Sequence, residues 1–155
     1  MNWLDHEYLI PVIIGNDREA LRVAKAIYKR TRFKSHLFGE RFSFFQKLRH
    51  ECHVVSPMRD EFIIESLFSF SKQLNEYYFP VLLICGDRAK MIAKQYSEGL
   101  ESAFLVVKAE ELLLYLEVDE IIAFELILKL LVGQGHLRKL QQRCETLYFT
   151  CLFFC

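Results

Sequence analysis

The sequence predicts an α/β domain: a parallel β-sheet between two layers of helices, three layers in all, with a helical C-terminal appendage. Three observations carry this reading. Leu9–Ile14 and Pro80–Cys85 are short, continuous apolar runs of the kind found in strands covered on both faces. Each run ends in glycine with an aspartate close behind, and each is followed by residues at helical spacing. Strand and helix patterns then alternate along the chain, which is what parallel strands with helical crossovers require.

The elements follow in order. Leu9–Ile14 opens the sheet, although Pro11 cannot donate to a ladder and points to an edge or to the strand's beginning. Gly15-Asn16-Asp17 ends it with turn chemistry, and Asp17 or Asn16 is placed to cap the next helix. From Arg18 to Arg30, Leu21, Ala24, Ile27 and Tyr28 recur at helical spacing. Ser35–Phe38 reads as a second strand closed by Gly39, and His53-Val54-Val55 as a weak third, stopped by Ser56-Pro57. Asp60 is the expected cap of a long helix reaching about Tyr78, with Phe62, Leu67, Phe70 and Leu74 apolar. After the Pro80–Cys85 strand and the Gly86-Asp87 turn comes a helix from Arg88 to Ser97, which Gly99 is expected to stop. Ala103–Val107 is the last strand, and a short helix is expected over 109–116.

Composition narrows the function classes. The 155 residues are 52% hydrophobic and 26% charged, a globular balance that excludes a disordered chain. Lys+Arg and Asp+Glu are 20 each, so no global attraction to nucleic acid or anionic lipid is available. The distribution is uneven: residues 1–50 carry ten Lys/Arg against five Asp/Glu, and residues 101–132 carry two against seven. The basic stripe Arg22, Lys25, Lys29 and Arg30 reads either as a phosphate-attracting surface or as a solvated helix face. The polar opening Met1–Glu7 is no signal peptide, so a cytoplasmic location with five reduced cysteines is expected. Cys52 and His53 adjoin, but no second ligand pair follows at zinc spacing, and no metal site is expected.

In an open α/β sheet, ligands bind beyond the carboxyl ends of the strands, where the connections reverse direction. The candidate binding residues are therefore Gly15, Asn16, Asp17, Gly86 and Asp87. Turns of this kind need glycine and a cap in any case, so a purely structural role stands beside the ligand-binding one. No G-x-G-x-x-G follows the first strand, no G-x-x-x-x-G-K-[ST] occurs, and no serine sits in a G-x-S-x-G elbow. No catalytic residue is assigned. Cys85 reads as a small apolar thiol at the end of a buried strand. His50, Cys52 and His53 offer acid–base chemistry or simply a polar helix end. Phe42, Phe44 and Phe45 are expected to pack in the core or under a lid.

Leu9-Ile-Pro-Val-Ile-Ile-Gly-Asn-Asp17, with Ala20, Ala24 and Ala26 behind it, resembles the start of a carboxylate–amine ligase of the ATP-grasp superfamily. Phe79-Pro-Val-Leu-Leu-Ile-Cys-Gly-Asp87, followed by Met91-Ile92, is similar to that family's strand ending in a Gly-Asp turn before a helix. The resemblance covers roughly residues 8–115, the Rossmann-like pre-ATP-grasp domain. It implies ligation in two steps: ATP phosphorylates a carboxylate, and an amine displaces the acyl phosphate. It also implies ATP and magnesium for a full-length ligase, with no cofactor in this chain, because phosphate-binding lysines and magnesium-holding carboxylates lie in later lobes. The small-molecule partner would be the carboxylate or the amine, and by this resemblance the two Gly–Asp turns face the substrate side of the cleft.

The division drawn is 1–115 as the α/β domain and 116–155 as a helical and apolar tail. Ile121–Val132 is apolar nearly all round but too short and too charged for a membrane span. Leu147–Cys155 is apolar without charge. One expectation for this tail is truncation or a shifted reading frame that cuts the chain off from ATP-binding lobes. The alternative is a standalone binding module that docks a protein partner, or a second copy of itself, through residues 120–155.

Overall fold

The computed structural model describes residues 9–75 and 78–109. The helix expected over 109–116, the tail 116–155 and the partner-docking segment 120–155 lie outside the described residues. Five parallel strands form one sheet in the order β3-β2-β1-β4-β5: β1 (Leu9–Ile14), β2 (His36–Gly39), β3 (Glu51–Val54), β4 (Phe79–Ile84) and β5 (Leu105–Lys108). The helices are α1 (Arg18–Thr31), α2 (Phe44–Arg49), α3 (Asp60–Gln73), α4 (Gly86–Gln95) and α5 (Ser97–Ala103). This is the expected three-layer, Rossmann-like α/β fold.

Side-chain alternation along the central strands builds two cores. On one face Val12, Ile14, Leu82 and Ile84 pack with Ile63, Leu67 and Phe70 of α3, Ile92 of α4 and Leu100 of α5. On the other, Ile13, Val81, Leu83 and Cys85 pack with Ala20, Val23, Ala24 and Ile27 of α1. Val12, Ile13, Leu82 and Leu83 are all fully buried. Each such side chain contributes about 1.5–3 kcal/mol relative to exposure, which is why β1 and β4 read as unbroken apolar runs. No described helix is long and apolar enough to cross a membrane.

The structure corrects several expectations. Pro11 lies in a central strand, not at an edge. It pairs in register with Val81 of β4, whereas the β2 ladder begins only at Val12, so at Pro11 the strand has a partner on one side alone. Arg59, not Asp60, holds the N-cap position of α3 and makes no capping side-chain bond; Asp60 is the first helical residue. Helix α3 ends at Gln73, short of Tyr78, as the chain turns to enter β4. In its last turn the Ser71 hydroxyl donates to the Phe68 carbonyl, 3.0 Å away. Gly99 does not stop a helix; it lies inside α5, where an added Cβ would come within 3.0 Å of the Phe68 ring. Its role is close packing of α5 on α3. Helix α2, which is not among the expected elements, starts with a capping box formed by Ser43 and Gln46. Phe44 and Phe45 stand exposed on α2 and are not core residues; only Phe42 packs against the α1-side core.

Candidate functional site

Strand order turns at β1. From β1 the chain moves to β2 and β3 on one side, and β4 then returns to the other side of β1. The carboxyl ends of β1 and β4 therefore flank the reversal in strand order among the described strands, where a ligand crevice is expected. Both of the glycine-bearing turns meet there.

Gly15 and Gly86 both adopt positive φ, 97° and 72°, a region costly for residues with a Cβ. The Gly15 N–H donates to the Phe38 carbonyl of β2 at 2.7 Å and ties the turn to the next strand. Asp17 divides its carboxylate between two tasks. Oδ1 accepts from the Ala20 N–H at 2.9 Å and caps α1. Oδ2 lies 3.7 Å from where a Gly15 Cβ would stand and 3.6 Å from the same point on Gly86. Glu19, which is not among the candidates, also brings its Oε2 to 3.6 Å from that point on Gly86. Only the adjacency of β1 and β4 brings Glu19 to the other turn, and local sequence carries no trace of it.

The two remaining candidates make no described contact with these two carboxylates. The Asn16 side-chain amide donates to the Arg41 carbonyl and fastens the β1 turn to the loop after β2. Asp87 is exposed in the first turn of α4, and no described contact joins it to Asp17. Its neighbour Arg88 bonds to the Met58 carbonyl and pairs with Asp60 at 3.2 Å. Gly39 completes a row of glycines at the ends of β1, β2 and β4; a Cβ there would lie 2.9 Å from the Phe42 ring and 3.3 Å from Asn16 Cγ.

The crevice is acidic. The Cys85 thiol beneath it is pushed up to about 12, first by burial, then by the Glu19 and Asp17 carboxylates, with Arg22 opposing. Cys85 is thus a protonated core thiol. The crevice does not fit the phosphates of ATP, because one free N–H of α1 is already capped by Asp17 and two carboxylates stand where a phosphate would lie. Among the described residues, no group of three or more His, Cys, Asp or Glu is placed to hold a metal ion.

His50, Cys52 and His53 do not converge. Alternation along β3 sends neighbours to opposite faces. His53 stacks on Phe38 at 4.4 Å between ring centroids, and its Nε2 is 2.8 Å from His36 Nδ1, one ring's N–H donating to the other's bare nitrogen. Phe70 of α3 packs against both rings. The Cys52 thiol donates to the His50 carbonyl at 3.7 Å, and burial and Glu51 hold its pKa above the usual thiol value. Comparison with family models, with curated proteins and with solved structures found no match to this chain.

Proposed function

We propose that the crevice between β1 and β4 holds a small amine, and that the domain is the substrate-side module of an ATP-grasp carboxylate–amine ligase. The observation that carries the proposal is Asp17 Oδ2 facing both positive-φ glycines, with Glu19 Oε2 beside it. The glycine backbones let the two carboxylates approach to van der Waals distance, and two carboxylates favour an ammonium group through charge-assisted hydrogen bonds. The resemblance of Leu9–Asp17 and Phe79–Asp87 to the ligase family supplies the reaction: the amine displaces phosphate from an acyl phosphate. ATP and magnesium belong to separate ATP-binding lobes in this reading, and the described residues orient the nucleophile without transferring the phosphoryl group.

The test follows the backbone amide resonances of Gly15 and Gly86 while a small primary amine, glycinamide, is titrated into the protein. Saturable shifts at both glycines are expected, weakened in Glu19→Gln and not reproduced by acetate. An equal response to acetate, or no shift at either glycine, overturns the reading.

A further inference from the structure

Four of the ten Lys/Arg of residues 1–50, Lys25, Lys29, Arg32 and Arg49, line a cavity of their own; Arg22 of the basic stripe is not among them. It has a volume of about 460 Å³ and lies between α1 and α2. That volume falls within the range of pockets for small organic ligands. One wall is a stripe of α1, where Leu21, Lys25, Tyr28 and Lys29 follow at helical spacing, continued by the C-cap residue Arg32. The other wall is α2 and its end, with Phe45, Gln46, Arg49 and His50. A helix face turned toward a neighbouring helix is ordinarily apolar. This one brings Lys25, Lys29 and Arg32 opposite Arg49, with no carboxylate among the described residues of the lining.

Charge and surface both point to an anion. None of the four cations has an ion-pair partner among the described residues; Glu51, which follows His50, is engaged by Lys34 at 3.6 Å. Lys25 and Lys29 stand one helical turn apart with like charge, an arrangement that an anionic ligand would relieve. The carbonyl end of α1 offsets only about half a unit charge. Aromatic surface adjoins the cations: Arg32 lies over the Tyr28 ring at 6.0 Å, and Phe45 is 69% exposed. His50 is only 6% exposed, yet its Nδ1 has no hydrogen-bond partner.

We propose that this cavity is a binding site for a small phosphorylated ligand bearing a flat ring, a mononucleotide in chemical class. The cations hold its phosphates, and Phe45 and Tyr28 offer faces to its ring. The site is separate from the β1/β4 crevice and does not depend on the function proposed for it. Asp17 caps the N-terminal end of α1, and Lys25, the cation of the cavity nearest to it in sequence, lies about 12 Å further along the helix at 1.5 Å per residue.

Calorimetric titration of the full chain with ADP at low salt tests the site, with adenosine and inorganic pyrophosphate as separate probes. ADP is expected to bind at one saturable site, with affinity falling as salt rises. Adenosine and pyrophosphate are each expected to bind about tenfold or more weakly than ADP, a difference of about 1.4 kcal/mol or more. Lys29→Glu with Arg49→Glu is expected to abolish binding, and the milder Lys25→Gln to weaken it. Both changes are at exposed positions, and circular dichroism verifies the fold. Glu19→Gln in the crevice is expected to leave ADP binding unchanged. Absence of saturable ADP binding at millimolar concentration, or binding that survives the double charge reversal, overturns the site. Pyrophosphate binding as tightly as ADP overturns the ring contact.

Discussion

Lowering the pH is expected to destabilise this fold through the His36–His53 pair. The two rings share one hydrogen bond at 2.8 Å, which needs a bare nitrogen on one of them. Burial, and then the charge on His53, lower the His36 pKa from 6.5 to about 4, with Glu51 pulling the other way. Burial also lowers His53, against Glu51. The unfolded chain therefore takes up a proton near pH 6.5 that the folded chain refuses until about pH 4. Stability is complete above the unfolded value and falls as the pH drops through that window. For His36 alone, linkage gives a loss of up to about 2 kcal/mol between pH 7 and 5, and about 3 kcal/mol by pH 4. Water reaching the exposed part of the ring reduces both figures. Urea unfolding followed by circular dichroism at pH 7, 6 and 5 measures the slope. His36→Gln is expected to flatten it, leaving the smaller contributions of His53 and of His50, which is also lowered by burial and by Arg49 and Lys34. A wild-type protein with constant stability over this range, or a variant with the wild-type slope, refutes the argument.

Other perturbations read separate parts of the structure. Leu82→Ala removes a fully buried side chain from a central strand and is expected to cost about 2–5 kcal/mol in urea unfolding. Asp17→Ala removes the α1 cap and is expected to cost about 1 kcal/mol, with earlier amide exchange in the first turn of α1. Gly86→Ala places a Cβ at φ 72° and is expected to cost at least about 1 kcal/mol, seen as a lower melting temperature. Cys85, 2% exposed and with its thiol pKa at about 12, is expected to resist alkylation in the native protein and to react after denaturation. Peptide mass mapping distinguishes it from the other cysteines.

What could be read from the sequence was what each segment carries within itself. The apolar runs of β1 and β4 announced buried parallel strands because both of their faces meet helices. Asp17 announced its cap because capping is settled within four residues. Legibility failed where distant segments decide the outcome. Gly99 resembles a helix stop locally, and only the Phe68 ring of α3 explains why it sits inside a helix. Pro11 looks like an edge residue until the staggered start of the β2 ladder is known. The phenylalanines of α2 are apolar, yet that helix buries nothing, and a count of hydrophobic residues cannot reveal it. The candidate site divides in the same way: Gly15, Asp17 and Gly86 were legible as turns, whereas Glu19 enters only through strand order.

The placement of β1 between β2 and β4 also governs when this sheet can form. Val12 pairs with Leu82, and that pairing waits until β2, β3 and α3, which separate the two strands in sequence, have been made. No two of the described strands are joined by a local hairpin, so each of their ladders closes a long loop before it gains contacts. Folding is therefore expected to be slow for a domain of this size. During synthesis the apolar β1 segment leaves the ribosome well before its β4 partner exists, and over that interval it depends on α1 and β2 to shield it.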